Sequence, residues 1–316
     1  MEIFSCLSQF SRLAEPTAVA IGNFDGVHLG HQRILRTLVQ TASKNRLMSV
    51  VLTFSPHPEK ILGKGRVDMI QTLDQRLAAI QEFGVDAVVV VGFNRQFSGL
   101  STGEFAEGVL VKIMRAKKVL VGCNFRFGKK RRGDRTTLTE LGEKNGFEVC
   151  AIPPVLKKGQ VVSSSLIRKL LEDGKVGEAH RLLGRPFEIG GVVIRGAGRG
   201  KALGFPTANI VSPNELVPRG VYITTVRLDG RRLAALTNVG ENPTFDDKGL
   251  HIETFILNFR RNLYGRPLRI QFIQKIRKEM AFETPDALIL RMQKDLASAR
   301  SYFSSHIKLF QKTSGH

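Results

Sequence analysis

Short apolar runs alternate with helical periodicity through the first half of the chain. Ala18–Ile21, Ser49–Phe54, Asp86–Gly92 and Lys118–Gly122 are brief apolar runs of the kind that forms buried strands. Between them, Gln32 to Ala42 places Ile34, Leu35, Leu38 and Val39 on one side of a helix. Gln71–Phe83 and Ser101–Ile113 also read as helices, the latter opened by Ser101 with Glu104 three residues on, a capping box. Strands separated by helices predict an α/β domain with a doubly wound parallel sheet. Ligands of such sheets gather beyond the carboxyl ends of the strands. The segments Gly22–His31 and Gly122–Asp134 each follow a predicted strand, so both are expected on that edge.

The pattern changes after Leu183 to Pro186. Glu188–Ile194, Val221–Leu228, Arg232–Val239, Ile252–Leu257 and Leu268–Ile276 are short β-rich runs with Gly and Pro between them, which predicts a small antiparallel β-barrel. A C-terminal helix is predicted from Thr284-Pro285 to about Phe303, since Pro suits the first helical position. The expected domains are 1–183 and 184–316, with Lys312–His316 frayed.

A chain of 316 residues is long enough for two such domains, and 42 % hydrophobic residues supply a core that excludes global disorder. The cysteines, Cys6, Cys123 and Cys150, are odd in number and scattered, which argues against a disulfide framework or a cysteine zinc site. No basic segment leads into an apolar core at the N-terminus, and the longest apolar run, Ala87 to Val91, is too short to cross a bilayer. The expectation is a cytoplasmic protein with no membrane partner. The net charge of +20 is shared: residues 1–183 hold 27 Lys and Arg against 17 Asp and Glu, and residues 184–316 hold 21 against 11. A solubility effect and a field that attracts anionic substrates both account for it. No zinc-finger or RNA-recognition signature accompanies it, so a dedicated nucleic-acid partner is not expected.

Within Gly22-Asn23-Phe24-Asp25-Gly26-Val27-His28-Leu29-Gly30-His31, two histidines sit at the junction of a strand and a helix. Free N–H groups and the positive end of a helix dipole make such a junction an anion site, and imidazoles beside it donate to phosphate oxygens. A metal site is the weaker reading, because no third ligand of suitable spacing accompanies the pair. Three further blocks follow: Thr53-Phe54-Ser55-Pro56-His57-Pro58, then Val121–Gly128 with the basic run Lys129–Arg132, then Ser163-Ser164-Ser165-Leu166-Ile167-Arg168. A basic run is ordinarily a solvated loop and serines at a helix start are ordinarily caps, yet on a ligand-facing edge both suit a triphosphate. In the second half, Gly196–Lys201 leads into Pro206-Thr207-Ala208-Asn209 without a Walker lysine pattern. Asn238-Val239-Gly240, Pro243-Thr244-Phe245, Ile252-Glu253-Thr254, Leu263-Tyr264-Gly265 and Ile276-Arg277-Lys278-Glu279 follow in order. Taken alone, Glu253 reads as a partly exposed strand carboxylate.

Together these motifs, spread over about residues 16 to 303, resemble the bacterial bifunctional riboflavin kinase/FAD synthetases, and the first block resembles the histidine motif of the nucleotidylyltransferase superfamily. The resemblance implies an N-terminal nucleotidylyltransferase-like domain that adenylylates FMN to FAD and a C-terminal kinase that makes FMN from riboflavin, both using ATP with Mg²⁺. It implies a catalytic role for His28 and His31, with Asn23, Asp25, Gly30, Asn124, Arg126, Ser164, Ser165 and Arg168 around the substrates. As a carboxylate among phosphates, Asp25 would need Mg²⁺ or a backbone partner. For the kinase it implies Glu253 as base, Thr207 and Asn209 on Mg-ATP, Gly198 and Lys201 in the glycine-rich loop, and Arg277 near the flavin. A monomer or weak oligomer is expected. Asn258, Arg260, Arg261 and Asn262 depart from the aspartates common around this block in relatives. Two rival readings stand beside this one, a monofunctional adenylyltransferase with an inert barrel and a basic nucleic-acid-binding protein without catalysis. A class I aminoacyl-tRNA synthetase is disfavoured by the missing Lys-Met-Ser-Lys-Ser block.

Overall fold

Parallel pairing organises the first part of the chain. The computed structural model describes residues 1–13, 15–63, 67–196, 204–241 and 250–306. The expected fraying at Lys312–His316, the loop residues Gly198 and Lys201, and the Pro243-Thr244-Phe245 block lie outside the described residues. Two compact units divide the chain, Met1–Ser164 and Ser165–His316.

In the first unit, β1 (Glu2–Phe4), β2 (Thr17–Ile21), β3 (Met48–Ser55), β4 (Ala87–Gly92), β5 (Ala116–Gly122) and β6 (Glu148–Ile152) form one sheet in the order β1-β4-β3-β2-β5-β6. Every neighbouring pair is parallel. Alternate residues of β2 feed two cores: Val19 and Ile21 join Val50, Leu52 and Val119 on one face, and Ala18 and Ala20 join Leu35, Leu38 and Val51 on the other. Such strands are buried on both sides and therefore read as continuous apolar runs. The four predicted strands are present. The edge strands β1 and β6 were not foreseen, because β1 spans three largely exposed residues and β6 is mostly half-buried, so neither shows a clear period. From β2 the chain adds β3 and β4 on one side, then returns to add β5 and β6 on the other. The reversal lies between β2 and β5, the place where open α/β sheets leave a crevice at their carboxyl ends.

The predicted helices occur with shifted ends. Leu29–Asn45 begins earlier than its apolar stripe because His28 caps it, and Leu73–Gln81 opens on a Thr72/Gln75 capping box. Ser101 and Glu104 form the expected capping box, but the helix continues as a π-helix over Phe105–Ile113, with the Met114 N–H donating to the Val109 carbonyl. That wider winding keeps Phe105, Ala106, Val109 and Leu110 buried together.

Short strands β7 (Leu156–Lys157) and β8 (Gln160–Val161) pair as a hairpin, and the helices Ser164–Glu172 and Val176–Leu183 follow. The second unit is a closed antiparallel barrel of β9 (Phe187–Ile194), β10 (Ala208–Val211), β11 (Gly220–Leu228), β12 (Arg231–Glu241), β13 (Leu250–Ile256) and β14 (Pro267–Arg277). The 176–183 helix packs on β9 and β14, so the compact division falls before this helix, whereas the expected seam falls after it. Strand β10 carries no strand signal in the sequence, because its four residues are too few to show alternation. Inside the barrel the buried hydroxyls of Thr224, Thr237 and Thr254 form a chain across β11, β12 and β13, with oxygens 2.8 and 3.0 Å apart. The helix Pro285–Ser305 starts at a Thr284 cap, as expected, and packs Ala299 and Phe303 against Ile223. Among the described residues no helix is long and apolar enough to cross a membrane.

Barrel closure needs Gly191. A Cβ there would lie 2.4 Å from Ile210 Cγ2 and 2.5 Å from the Val211 carbonyl oxygen, so Gly191→Ala wedges β9 from β10. The expected loss is about 1–3 kcal/mol, the usual cost of overpacking. Hydrogen exchange checks it: amides of β9 and β10 lose protection while those of β2 and β3 keep theirs.

Candidate active sites

The turn after β2 is built from conformations that most residues avoid. Phe24 (φ 50°), Gly26 (φ 83°) and Val27 (φ 37°) are all left-handed. For phenylalanine and a β-branched valine this costs roughly 1–3 kcal/mol each. Both side chains are fully buried, and that burial offsets the strain. The turn delivers His28 to the N-cap of the 29–45 helix, where its Nδ1 accepts from the His31 N–H at 3.3 Å. A neutral ring that accepts at Nδ1 carries its proton on Nε2. The two imidazoles stack with centroids 3.7 Å apart and planes 15° from parallel. Gly30 makes room for this: a Cβ there would sit 3.0 Å from His28 Cε1. The expected histidine pair at a helix N-terminus is therefore present as a single stacked unit beside the sheet's crevice.

Asp25 takes the backbone alternative. It is fully enclosed, and its carboxylate accepts from the Ile70 N–H at 3.1 Å and the Gln71 N–H at 3.3 Å, so the side chain anchors the turn from below. Its carbonyl accepts from Ser164 Oγ at 2.8 Å. The Asn23 side-chain amide lies 2.8 Å from His57 Nε2. His57 caps the short helix Pro58–Leu62 with Nδ1, which accepts from the Glu59 N–H.

Across the reversal point, the loop after β5 presents Asn124 and Arg126 to solvent. Arg126 pairs with Asp134 at 3.4 Å. Asp134 caps the 135–145 helix, and the Thr137 N–H, followed by the Thr137 hydroxyl and Arg126, holds its carboxyl below the ordinary range. Lys129 to Arg132 form an exposed basic turn on the same loop, with Lys130 and Arg131 left-handed. Ser164 belongs to the first unit. Ser165 and Arg168 lie on the same helix, exposed and half-buried, within the second.

Strand register assembles the barrel site. Glu253 on β13 stands opposite Asn209 on β10 and opposite Asn238 on β12. Its neighbours Ile252 and Thr254 are buried, so the pleat puts Glu253 on the other face, half-exposed. Among the described residues its carboxylate has no hydrogen-bond or ion-pair partner. Asn209 is accommodated by Gly196, where a Cβ would lie 2.1 Å from Asn209 Nδ2. Thr207 is half-buried just before β10. Arg277, at the end of β14, donates from Nε to Asp295 at 2.9 Å and from Nη1 to the Lys278 carbonyl at 3.0 Å. Asp295, buried in the 285–305 helix, also faces Arg291 Nε at 3.2 Å. The structure gives the local setting of two of the four departures after β13. Asn258 is left-handed (φ 55°), a conformation Asn tolerates, and Asn262 accepts from the Tyr264 N–H at 2.9 Å.

Sequence reasoning did not single out Arg76 or Asp295. Arg76 is buried and donates to the Asn23 and Phe54 carbonyls. Its signal was an arginine on the inner face of a helix; for Asp295 it was the Arg291–Asp295 spacing of four. Neither differs from an ordinary surface pattern until burial is known.

Comparison with known proteins joins these two sites. Residues 11–166 match the FAD synthetase family and residues 183–303 the riboflavin kinase family. The bifunctional riboflavin kinase/FMN adenylyltransferase of Listeria monocytogenes is 37 % identical over 291 residues, covering 90 % of this chain and 92 % of that one. Its counterpart from Buchnera aphidicola is 34 % identical over 310 residues, covering 96 % and 99 %. The crystal structure of a macrolide-efflux protein from Streptococcus pneumoniae superposes with a TM-score of 0.85 at 30 % identity, covering 94 % of this chain and 98 % of that one. With both halves matched in order, and relatives of this identity aligned almost end to end, the chain belongs to the bifunctional riboflavin kinase/FMN adenylyltransferase family.

Proposed function

We propose that the family's two reactions are divided between the two units: the barrel phosphorylates riboflavin to FMN with ATP, and the sheet unit transfers AMP from a second ATP to FMN, giving FAD and pyrophosphate. The observation that carries this division is that the two residue sets directed at ATP fall in separate compact units. Asn23, His28 and His31 lie in one, and Thr207, Asn209 and Glu253 in the other. We place the functional seam at 183/184, at the start of the riboflavin kinase match. Three scattered cysteines suit the reducing cytoplasm as the place of work.

In the kinase step Glu253 takes the proton of the ribityl 5′-hydroxyl as that oxygen attacks the γ-phosphorus, and the bond to the β-phosphate oxygen breaks to release ADP. A half-exposed carboxylate without a partner among the described residues supports that role. Thr207 and Asn209 offer a hydroxyl and an amide oxygen, hard neutral donors that fit Mg²⁺, and the space left by Gly196 lets the Asn209 side chain lie against the strand. Mg²⁺ supplies charge neutralisation of the ATP phosphates when bound. Arg277 contributes a fixed cation beside the flavin, held by Asp295.

Adenylyl transfer needs no covalent enzyme intermediate, because the FMN phosphate is itself the nucleophile. It attacks the α-phosphorus and pyrophosphate leaves. The protein must bring two polyanions together, so fixed donors and cations are its main contribution. His28 and His31 at the helix N-terminus, Arg126 and the Lys129–Arg132 turn fill that role, with Asn23 and Asn124 hydrogen-bonding substrate.

Three outcomes follow. Glu253→Ala lowers kinase turnover by about 10²–10⁴, the usual worth of a general base, and leaves FAD formation from added FMN intact; parallel loss of both activities refutes the division. His28→Ala combined with His31→Ala abolishes FAD formation and spares FMN formation, measured by chromatography after incubation with riboflavin and Mg-ATP. Asn209→Ala raises the Mg²⁺ concentration for half-maximal FMN formation, and an unchanged titration removes Asn209 from the metal's surroundings.

A further inference from the structure

One buried cation ties together the two loops at the sheet's edge. Arg76 projects from the 73–81 helix and is 3 % exposed. Its Nη1 donates to the Asn23 carbonyl at 2.7 Å, just past the end of β2, and its Nη2 donates to the Phe54 carbonyl at 2.9 Å, near the end of β3. Thr53 Oγ1 donates to the same Asn23 carbonyl at 3.2 Å. A single planar group therefore bridges the carboxyl ends of two adjacent strands. Beyond those ends the chain carries His28 at the cap and His31 in the first turn of the 29–45 helix on one side and His57 on the other, and Asn23 and His57 meet across the gap.

We propose that Arg76 is a positioning residue for adenylyl transfer: its guanidinium fork sets the separation of these two loops, and with it the placement of Asn23, His28 and His31. This rests on reading the sheet's edge as the adenylyl-transfer site. Geometry explains why the residue is arginine. Two carbonyls on neighbouring strands are matched by two N–H groups at a fixed angle, whereas an ammonium on a flexible stem has no such fork. Enclosure of the charge is compensated within the same network. Burial pulls the guanidinium below its ordinary pKa, the Asp25 carboxylate opposes that pull, and arginine stays protonated in either case. Asp25 and Arg76 thus anchor one turn from two sides, Asp25 through the 70–71 backbone and Arg76 through the carbonyl of Asn23.

The test uses Arg76→Lys and Arg76→Met in the full-length protein, with kcat and KM for FAD formation from FMN and ATP, and FMN formation from riboflavin as an internal control. Both variants are expected to lower kcat for FAD formation by about 10- to 100-fold, the size that an ångström of misplacement costs, with KM for ATP within about threefold of the parent. Riboflavin phosphorylation stays unchanged. Parental kcat in both variants overturns the proposal. A loss of activity that only tracks the unfolded fraction of the first unit, read from hydrogen exchange of β2 and β3, also overturns it. If Arg76→Met unfolds that unit, Arg76→Lys decides, since it keeps the charge and loses the fork. The histidine double variant separates the two levels. If that variant still makes FAD, the site reading fails and this inference with it. If it makes none and the Arg76 variants retain full kcat, only the positioning role fails.

Discussion

Burial of Phe24 and Val27 is the constraint on which the first unit's site depends. Neither residue favours the left-handed backbone that it adopts, and an isolated peptide of this sequence would relax out of it. The sheet holds them there because their side chains belong to the same core as Leu35, Leu38 and Val51. A turn fixed in this way cannot drift without opening a cavity in that core. The stacked histidines inherit its rigidity, and so does the N–H array of the helix they begin. Strain at the site is thus balanced by packing behind it.

The barrel solves the same problem by a different route. Glu253 is delivered by the register of three strands. Hydroxyls of Thr224, Thr237 and Thr254 line the inside of β11, β12 and β13 and fix that register from within. Because side chains alternate across a strand, a slip of one residue would turn Glu253 inward and Thr254 outward. The interior ladder and the exterior Asn209–Glu253–Asn238 row are therefore two readings of one alignment. Polyanion chemistry then needs only a few fixed donors on a face whose geometry is already set.

Much of this was legible in the residues, for reasons that differ by element. Strands β2 to β5 announced themselves because most of their positions are buried, which leaves short apolar runs. Strands β1 and β6 did not, since an edge strand of three to five residues with mixed exposure has no period to detect. The junction at His28 and His31 was visible as a strand–glycine–helix pattern. The enclosure of Asp25 was not, because its partners are backbone N–H groups of residues 70 and 71, far away in sequence. Arg76 and Asp295 were missed on the same ground: a buried charge looks like a surface charge until its partner is located. The basic turn Lys129–Arg132 is the opposite case, exposed as its composition suggested.

The carboxylate of Asp295 is shared between Arg277 at the end of β14 and Arg291 one helical turn before it. The final helix is consequently more than a cover for the barrel wall. Trimming the chain back to the last strand would remove Asp295 together with Arg291 and leave the Arg277 guanidinium without that carboxylate. The carboxylate that balances the end of β14 thus lies within the helix, well past the point where the sheet itself is complete.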